Sequence, residues 1–291
     1  TNNFKRRPFI IASKHIESLV DDSQLKVEDL IKIKGIGQSL CNTVQQILMT
    51  HTCDKYDIIM GCDNSLEIFT KIHGVGIKKA KELIGKGFKT IEDLRNYPKL
   101  KDILTNTQIK GLKYYEHLLN RIPYEEIIEH EKYLKQILKS IDNSAELTIA
   151  GSYRRKCETS GDIDVLIKTP RVKNTSIYDI FIEDLQKKGY VVETLSRGAK
   201  KFMGICRYQN EFRRIDIMFT RTHDYPFAIL YFTGSKEFNT RMRSYLLERG
   251  LSLNEYGIRD VKTDRLIDYT FLNERSIFDY IRWRYVEPEN R

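Results

Sequence analysis

Two short segments in which acidic and apolar residues alternate constrain the fold of this chain more than any other feature. Residues 162–167 read DIDVLI and residues 213–219 read RRIDIMF. Residues i and i+2 of a β-strand lie on the same face, so Asp162 and Asp164 lie together while the intervening apolar residues take the opposite, core-facing side. If the second segment pairs alongside the first, Asp216 joins them. The sequence therefore predicts two neighbouring strands that place three carboxylates on one face.

Three carboxylates so close together repel one another unless divalent cations hold them. Two ions about 3.5–4 Å apart, bridged by carboxylates, form the site of two-metal phosphoryl transfer. The alternative for a bare Asp-x-Asp is a solvated strand edge. The metal site is favoured by residues 151–155, where Gly-Ser is followed by Arg154 and Arg155. These residues offer backbone N–H, hydroxyl and guanidinium ligands for phosphate.

Composition narrows the class of protein without fixing its function. The chain has 291 residues, of which 41% are hydrophobic and 31% charged, as expected of globular domains with substantial cores. No apolar run reaches the length of a membrane span and no signal-peptide pattern opens the chain, so no membrane association is expected. The 5 cysteines lack any C-x-x-C pairing, which favours reduced thiols in an intracellular protein. A net charge of +9 permits nucleic-acid binding.

The first third of the chain contains an internal repeat. Segments 29–48 and 67–84 align so that one Gly-x-Gly falls on the other, each between two helix-like apolar stretches. This is the pattern of a helix-hairpin-helix, which binds nucleic-acid backbone without regard to sequence. The glycines allow a tight turn, and the next helix N-terminus presents N–H groups to a phosphate. The DNA-binding candidates are Gly35, Gly37, Gly74, Gly76, Lys78 and Lys79.

Four regions are predicted along the chain, and the expected fold class is α+β. Residues 1–60 and 61–123 read as helical and carry one hairpin each, with Pro123 as a boundary. Residues 124–222 read as helices against a mixed β-sheet, and residues 223–291 as a smaller α/β subdomain. Helices are predicted over 124–141 and 177–189. Strands are predicted in LTIAGSY, DIDVLI, YVVETL, KFMGICRY and RRIDIMF.

Three ordered motifs resemble those of family X DNA polymerases, most closely the beta and lambda type. They are GSYRRKCETSGDIDVLI (151–167), RRIDIMF (213–219) and YFTGSKEFNTRMR (231–243). The resemblance runs from about residue 10 to residue 291. It implies a truncated lyase-like helical domain, a DNA-binding helical subdomain, a nucleotidyltransferase palm and a nucleotide-selecting carboxy-terminal subdomain, in the order of the four regions above.

The resemblance also implies an activity and its partners. The expected function is template-directed DNA synthesis that fills short gaps during repair, including base excision repair. The expected substrates are gapped or nicked DNA and deoxynucleoside triphosphates. Two Mg²⁺ ions, with Mn²⁺ as an alternative, and a monovalent Na⁺ or K⁺ ion at the hairpin are the expected cofactors. A monomer is expected, with other repair proteins as further partners, in the nucleus or, for a viral protein, inside the host cell.

Matching residue by residue, the resemblance assigns roles at the catalytic centre. Asp162 and Asp164 match ligands of both magnesium ions, and Asp216 matches a ligand of the catalytic one. Arg214, two residues before Asp216, is expected to orient it. The residues that match triphosphate contacts are Arg121, Ser152, Arg155 and Gly161.

Further matches concern the sugar, the base and the DNA. The segment that lines the nucleotide sugar and disfavours a 2′-hydroxyl is matched by Tyr231, Phe232, Thr233 and Gly234. Asn239 matches a contact to the incoming base, and Arg243 a contact to the template strand. The carbonyls that would hold the monovalent ion belong to Thr70, Ile72 and Val75.

Departures from the family pattern qualify these expectations. Thr43 stands where the lyase lysine is expected and Ser39 at an assisting-lysine position, so 5′-deoxyribose-phosphate lyase activity is predicted to be absent or very weak. Lys236 replaces an acid beside the nucleotide, and Met218 replaces an arginine that engages a metal-binding acid in the inactive form. The family's conformational gating and fidelity are therefore not carried over to this chain. The connection 207–212 is short, whereas template-independent relatives have a longer loop.

Two alternatives stay open beside template-directed synthesis. One is a template-independent nucleotidyltransferase of the terminal-transferase kind. The other is a DNA-binding scaffold that kept the fold and lost the chemistry. The short connection and the repeated hairpin disfavour the first, and the three intact acids disfavour the second.

Overall fold

The computed structural model describes residues 30–33, 36–50, 64–170 and 175–291. Chain contacts divide these residues into two units. The first unit comprises the described residues up to Thr70 together with Gly76–Leu94, and the second comprises Lys71–Val75 and Arg95–Arg291. Within the described ranges, no helix combines the length and the apolar character that crossing a bilayer requires.

The first unit is helical over its described residues. Its helices are α1 Gln38–Thr50, α2 Ser65–Thr70, α3 Ile77–Gly85 and α4 Ile91–Arg95, the last of which ends at the start of the second unit. Helix α2 packs against α3, and Phe69, Ala80 and Leu83 are fully buried between them. Gly35 lies outside the described residues, and the two helix-hairpin-helix motifs stay predictions.

The second unit is an α+β assembly. Its helices are α5 Leu100–Ile103, α6 Asn106–Lys113, α7 Tyr115–Leu119, α8 Tyr124–Ile141, α9 Gly151–Arg154, α10 Thr175–Lys187, α11 Tyr225–Thr233, α12 Lys236–Leu247 and α13 Glu274–Tyr280, with a 3₁₀ turn at Pro288–Asn290. Its strands are β1 Ile122–Pro123, β2 Glu146–Ile149, β3 Thr159–Ser160, β4 Ile163–Thr169, β5 Val191–Arg197, β6 Lys201–Tyr208, β7 Glu211–Arg221, β8 Leu251–Asn254 and β9 Gly257–Asp260. The predicted α+β class with a mixed sheet is confirmed.

The main sheet places the two acid-bearing strands side by side. Its order is β2-β4-β7-β6-β5, in which β4 and β7 are parallel and the other pairs antiparallel. Asp164 is the register partner of Asp216, and Ile163 that of Ile215. The predicted pairing of the two segments is therefore confirmed, and the acids of both strands share one face.

The two faces of this sheet are covered by different helices. Ile163, Val165 and Ile215 belong to a buried cluster that includes residues of α8 and α10. Further along β4 and β7, past the acids, the acid-bearing face is also buried. There Leu166 and Met218 pack with residues of α11. The expectation that only one face of these strands is core-facing is therefore wrong. Helix α11 reads YPFAILYFT, is apolar on every side and covers part of the other face.

The segment before β4 differs from the prediction. LTIAGSY was expected to be one strand, but β2 ends at Ile149 and α9 begins at Gly151. Gly151 has φ +54°, a left-handed conformation that breaks the strand, and the Ala150 N–H donates to the Asp164 carbonyl at 2.8 Å. The chain thus turns directly beside an acid of β4.

The carboxy-terminal part of this unit surrounds a small core of its own. Helix α12, the β8–β9 hairpin and α13 pack around the fully buried side chains of Met242, Ile277 and Phe278. Ser235 caps the N-terminus of α12, and its hydroxyl accepts a hydrogen bond from the Phe238 N–H at 3.3 Å. This N-terminus of α12 lies on the cleft described next.

Candidate active site

A cleft of about 700 Å³ lies on the acid-bearing edge of the main sheet. It is lined from β4 and β7, from the α9 turn, and from the junction of α11 and α12. The sequence-predicted residues that line it are Arg121, Ser152, Arg155, Gly161, Asp162, Asp164, Asp216, Tyr231, Phe232, Thr233, Gly234, Asn239 and Arg243. Residues from positions more than a hundred apart in the sequence therefore meet in one cleft.

The three acids converge at one side of the cleft. One carboxylate oxygen from each of Asp162, Asp164 and Asp216 lies within 4.8 Å of the others. Asp216 Oδ1 is buried and has no hydrogen-bond partner among the described residues. Carboxylate oxygens are the ligands that Mg²⁺ and Mn²⁺ prefer, so both the donor set and the orphaned oxygen fit a divalent cation.

Without a bound cation, the ionised forms of Asp164 and Asp216 are disfavoured. Burial, and after it the negative charge of Asp216, raise the pKa of Asp164 to about 7, although Arg155 opposes the shift. Burial also raises the pKa of Asp216, against the lowering effect of Arg214. A bound cation would reverse both effects because it favours the ionised carboxylates.

Arg214 lies among the acids on β7. Its Nη2 pairs with Asp162 Oδ2, whereas its Nε lies 3.7 Å from Asp216 Oδ1. The guanidinium thus contacts Asp162 more closely than the residue that it was expected to orient. Its role in orienting Asp216 stays a prediction.

Gly151 allows the α9 turn to approach the acids. A Cβ built at this position would lie 2.0 Å from Asp164 Oδ2, closer than any non-bonded contact allows. The positive φ of this residue adds a second reason for glycine. Gly161 makes a looser approach, where a Cβ would lie 3.2 Å from Arg121 Nη1.

Three polar side chains stand in fixed positions beside the acids. Arg121 donates from Nε to Thr159 Oγ1 at 3.1 Å and from Nη2 to the Thr159 carbonyl at 2.7 Å. Ser152 Oγ donates to Ser160 Oγ at 2.8 Å. Arg155 donates from Nη1 to a backbone carbonyl of α11. These bonds leave further N–H groups of both arginines for an anion in the cleft.

Arg154 does not line the cleft, contrary to its expected place among the phosphate ligands. Its Nη2 lies 2.9 Å from Glu274 Oε2 and its Nη1 donates to Thr233 Oγ1 at 2.6 Å. Consecutive residues of a helical turn point about 100° apart, and here Arg154 and Arg155 diverge. Arg154 instead ties α9 to α11 and α13.

The other side of the cleft is aromatic and amide-rich. The rings of Tyr231 and Phe232 lie 5.7 Å apart. Asn239 Nδ2 donates to the Tyr231 carbonyl at 2.9 Å, which fixes the amide against the end of α11. The Arg243 guanidinium lies 5.3 Å from the centroid of the Tyr231 ring.

Lys201 and Met203 of β6 also line the cleft and were missed by the sequence reasoning. Met203 is the register partner of Asp216, so these two β6 residues share the face of the acids. Lys201 pairs with Glu255 and lies 5.3 Å from the Tyr231 ring centroid. Only the register between β6 and β7 could have identified them.

The two departures near the nucleotide positions have different surroundings. Lys236 is exposed and lies at the start of α12 on the cleft. Met218 is fully buried and packs with Leu166 and Ala228. Met218 is therefore a core residue of the acid-bearing face.

The second hairpin has a well-defined turn. Gly74 has φ +83°, and its carbonyl accepts a hydrogen bond from Gln108 Nε2 at 2.8 Å. The Ile72 carbonyl accepts the Val75 N–H at 3.0 Å. Thr70 ends α2, and its hydroxyl donates to the Leu66 carbonyl at 2.9 Å. The cation role of the three carbonyls stays a prediction.

The helices after the two glycine turns present different side chains. Gly76 directly precedes α3, on which Lys78 is exposed and Lys79 Nζ lies 3.0 Å from Glu82 Oε1. Gly37 precedes α1, where the Thr43 hydroxyl donates to the Ser39 carbonyl at 2.9 Å. The hydroxyl at position 43 is thus engaged within its own helix.

Comparison with known proteins gives consistent matches along the chain. Three family models match it: the fingers domain of DNA polymerase lambda over residues 67–119, the DNA polymerase beta palm over 121–222 and the DNA polymerase beta thumb over 228–291. The chain is 30% identical over 281 residues to DNA polymerase lambda of Rattus norvegicus, covering 91% of this chain and 48% of that protein. It is 27% identical over 290 residues to DNA polymerase lambda of Arabidopsis thaliana, covering 91% and 54%. The chain thus spans about half the length of these relatives.

Proposed function

Since this chain belongs to the family X DNA polymerases of the beta and lambda type, we propose that it is a template-directed DNA polymerase that fills short gaps in repair. The reaction is transfer of a nucleotidyl group from a deoxynucleoside triphosphate to a primer 3′-hydroxyl. The observation that carries this proposal is the convergence of three half-buried acids with Arg121 and Arg155 in one cleft.

The acids are the proposed metal ligands. Asp162 and Asp164 would hold both magnesium or manganese ions, and Asp216 the catalytic one. When bound, the ions lower the pKa of the primer hydroxyl and offset the charge of the transferring phosphoryl group. Arg214 holds Asp162 in place through its ion pair, which keeps the carboxylates oriented in the absence of substrate.

The phosphate tail of the nucleotide is assigned to the side of the cleft next to the acids. Arg121 and Arg155 have N–H groups to spare after their fixed hydrogen bonds. The Ser152 hydroxyl donates to Ser160 and would turn to donate to a phosphate oxygen. Charge-assisted bonds to phosphate oxygens are about twice as strong as neutral ones, so these side chains would position the triphosphate for in-line attack. Gly161 leaves space for Arg121 beside them.

The sugar and base are assigned to the opposite side. Tyr231, Phe232 and Gly234 form a wall against which a 2′-hydroxyl would have no room, which favours deoxyribonucleotides. Asn239 is held by the Tyr231 carbonyl and keeps a free amide oxygen for the base edge. Arg243, on the same helical face one turn later, is proposed to contact the template strand.

The amino-terminal hairpins are proposed to grip the DNA backbone on both sides of the gap. The Gly74 turn supports this because its φ is positive and its carbonyl is tied down. A sodium or potassium ion held by the carbonyls of Thr70, Ile72 and Val75 would link the turn to a DNA phosphate. Lys78 adds an exposed positive charge at the first turn of α3.

Lyase activity is proposed to be absent or very weak. A Schiff base with an abasic sugar needs an amine, and position 43 has a hydroxyl that donates to the Ser39 carbonyl. Borohydride reduction in the presence of an incised abasic duplex is expected to trap no covalent adduct. A strong adduct would contradict this part of the proposal.

Template dependence is favoured over untemplated addition by the β6–β7 connection. Strand β6 ends at Tyr208 and β7 begins at Glu211, so only a tight turn joins them. A longer loop at this point would be needed to stand in for a template strand. The proposed partners are gapped or nicked DNA and deoxynucleotides. The family resemblance supports a monomer that acts in the nucleus.

The test is incorporation on a duplex with a one-nucleotide gap, with magnesium and each deoxynucleotide offered separately. Insertion of the complementary nucleotide only is expected. Asp216→Ala should abolish insertion while sparing binding to the gapped duplex, and the exposed Asp268→Ala is the matched control. Untemplated addition would instead support a terminal transferase, and retained insertion by Asp216→Ala would refute the metal assignment.

A further inference from the structure

An alternation of arginines and aromatic rings lies on the carboxy-terminal part of the second unit. The Arg241 guanidinium lies 5.7 Å from the ring centroid of Trp283. The Trp283 and Tyr245 rings stack with centroids 5.2 Å apart and an interplanar angle of 29°. The Arg249 guanidinium lies 3.6 Å from the Tyr245 centroid. These four residues are called the arginine ladder.

The ladder is held rigidly by the core beneath it. The Tyr245 hydroxyl donates to the Ile281 carbonyl at 3.3 Å, and the backbone N–H of Trp283 donates to the Phe278 carbonyl at 2.9 Å. Arg249 Nη1 donates to the Tyr245 carbonyl at 3.0 Å. The backbone thus holds the two rings, and Arg249 is held directly over one of them, while Arg241 and Arg249 both stay exposed. Pre-organised guanidinium groups lose little conformational entropy on binding an anion.

The charge of this surface is not balanced by acids. Among the residues that the structure describes, Arg241 and Arg249 form no ion pair with a carboxylate. The same holds for Arg282 and Arg284, the exposed neighbours of Trp283 in sequence. Glu237 and Glu248, at the two ends of α12, are the exposed acids of that helix. Asp279, three residues before Arg282, is a further exposed acid, so four arginines against three acids leave a net positive surface.

The arginine ladder lies on the side of α12 away from the nucleotide cleft. Asn239, Thr240 and Arg243 of this helix line the cleft. Tyr245 follows Arg243 by two residues, which is about 200° round the helix. Any strand that occupies the cleft must turn round α12 to reach the ladder.

We propose that the arginine ladder binds the phosphate backbone of a single-stranded DNA extension of the substrate held in the cleft. This proposal rests on the proposed function, which supplies the DNA. Four arginines without ion pairs among the described residues complement a polyanion. Duplex DNA, with a persistence length of about 150 base pairs, is too stiff to turn round a helix about 10 Å wide, whereas a single strand is flexible enough. The ladder thus favours substrates with a single-stranded template extension.

The test compares two primer–template duplexes that differ only in the length of the single-stranded template extension. Fluorescence anisotropy measures their dissociation constants over a range of salt concentrations. The wild-type protein is expected to bind the long extension more tightly, and Arg241→Gln/Arg249→Gln to lose about tenfold of that gain. The slope of log Kd against log salt should fall by about 1.4, since two phosphate contacts of about 0.7 each are lost.

Two further variants separate the ladder from general charge and from packing. Lys139→Gln/Lys187→Gln removes two exposed cations at the ends of α8 and α10. This variant should keep the full gain in affinity that the long extension gives the wild type. Arg282→Gln/Arg284→Gln leaves the stacked rings intact and should lose part of this gain in affinity. Thermal unfolding of each variant shows whether the ladder variant is folded.

Three outcomes would overturn the proposal. In the first, the wild-type protein binds the long and the short extension equally tightly. In the second, the folded Arg241→Gln/Arg249→Gln variant binds the long extension as much more tightly as the wild type does. Poly-glutamate could also displace the extension as well as oligo-deoxythymidine of equal charge, which would point to an acidic protein segment. Nucleotide incorporation on the one-nucleotide gap is measured in parallel. If the wild-type protein incorporates nothing, the proposed function is contradicted, and not only the proposal about the arginine ladder.

Discussion

The raised pKa of Asp164 makes the stability of the metal-free protein fall as the pH rises. Burial and the charge of Asp216 raise this pKa from its ordinary value of 3.8 to about 7. The unfolded chain releases the Asp164 proton near pH 4, whereas the folded protein keeps it until near pH 7. Between these values the folded state binds one more proton, so its free energy of unfolding decreases with pH.

The size of this effect follows from the shift. About three pKa units at about 1.4 kcal/mol each amount to about 4 kcal/mol at most, spread over the range between pH 4 and pH 7. Asp164→Asn removes the titrating group. The difference in unfolding free energy between wild type and variant should therefore change by this amount in favour of the variant as the pH rises.

Measuring the difference removes the contributions of groups that do not interact with Asp164. His130 is fully buried, its Nδ1 lies 2.7 Å from the Tyr190 hydroxyl, and burial lowers its pKa to about 4. Since the unfolded histidine has a higher pKa, His130 makes stability rise with pH between about 4 and 6.5. It acts equally in wild type and variant, so the subtraction cancels it.

The assay is urea unfolding of the protein in a chelator between pH 4 and pH 8. Asp268→Asn, on an exposed carboxylate, is the control and should follow the wild type. Excess Mg²⁺ should stabilise the wild type most above pH 7, where Asp164 is charged, and a concentration of about 100 Kd corresponds to about 2.7 kcal/mol. Parallel stability curves for wild type and Asp164→Asn would refute the reasoning.

Three further predictions concern single side chains. Gly151→Ala should abolish nucleotide incorporation, because its Cβ would lie 2.0 Å from an acid oxygen, whereas Gly85→Ala, with nothing within 4 Å, should leave incorporation unchanged. Glu274→Gln should destabilise the protein by about 3–5 kcal/mol in thermal or urea unfolding, because this carboxylate, 7% exposed, pairs with two arginines. Tyr231→Ala should raise ribonucleotide insertion relative to deoxyribonucleotide insertion in single-turnover assays, and an unchanged ratio would contradict the proposed wall.

The sequence was most informative where a short-range period determines the geometry. The alternation in DIDVLI and RRIDIMF placed Asp162, Asp164 and Asp216 on one face because the side-chain period of a strand is two. Their meeting in space also required the parallel pairing of β4 with β7, which the structure provides. The helices 124–141 and 177–189 were likewise found to within two residues at each end.

The features that the sequence did not predict depend on contacts between distant segments. Arg154 and Arg155 are equivalent in the sequence, and only the α9 turn decides that Arg155 alone lines the cleft. Lys201 reaches the cleft through the register of β6 with β7. Met218 is buried because α11 folds over the acid-bearing face. No local pattern contains these relations.

The position of β7 in the sheet has a consequence for how the protein folds. This strand is the last of the five in sequence, yet it lies in the middle, between β4 and β6. A nascent chain that ends before residue 211 therefore lacks both the central strand and the third acid. Contacts between β4 and β7 close a long loop, which makes their formation slow. We expect the capacity to bind divalent metal to arise only when the sheet is completed, so metal binding reports the last stage of folding.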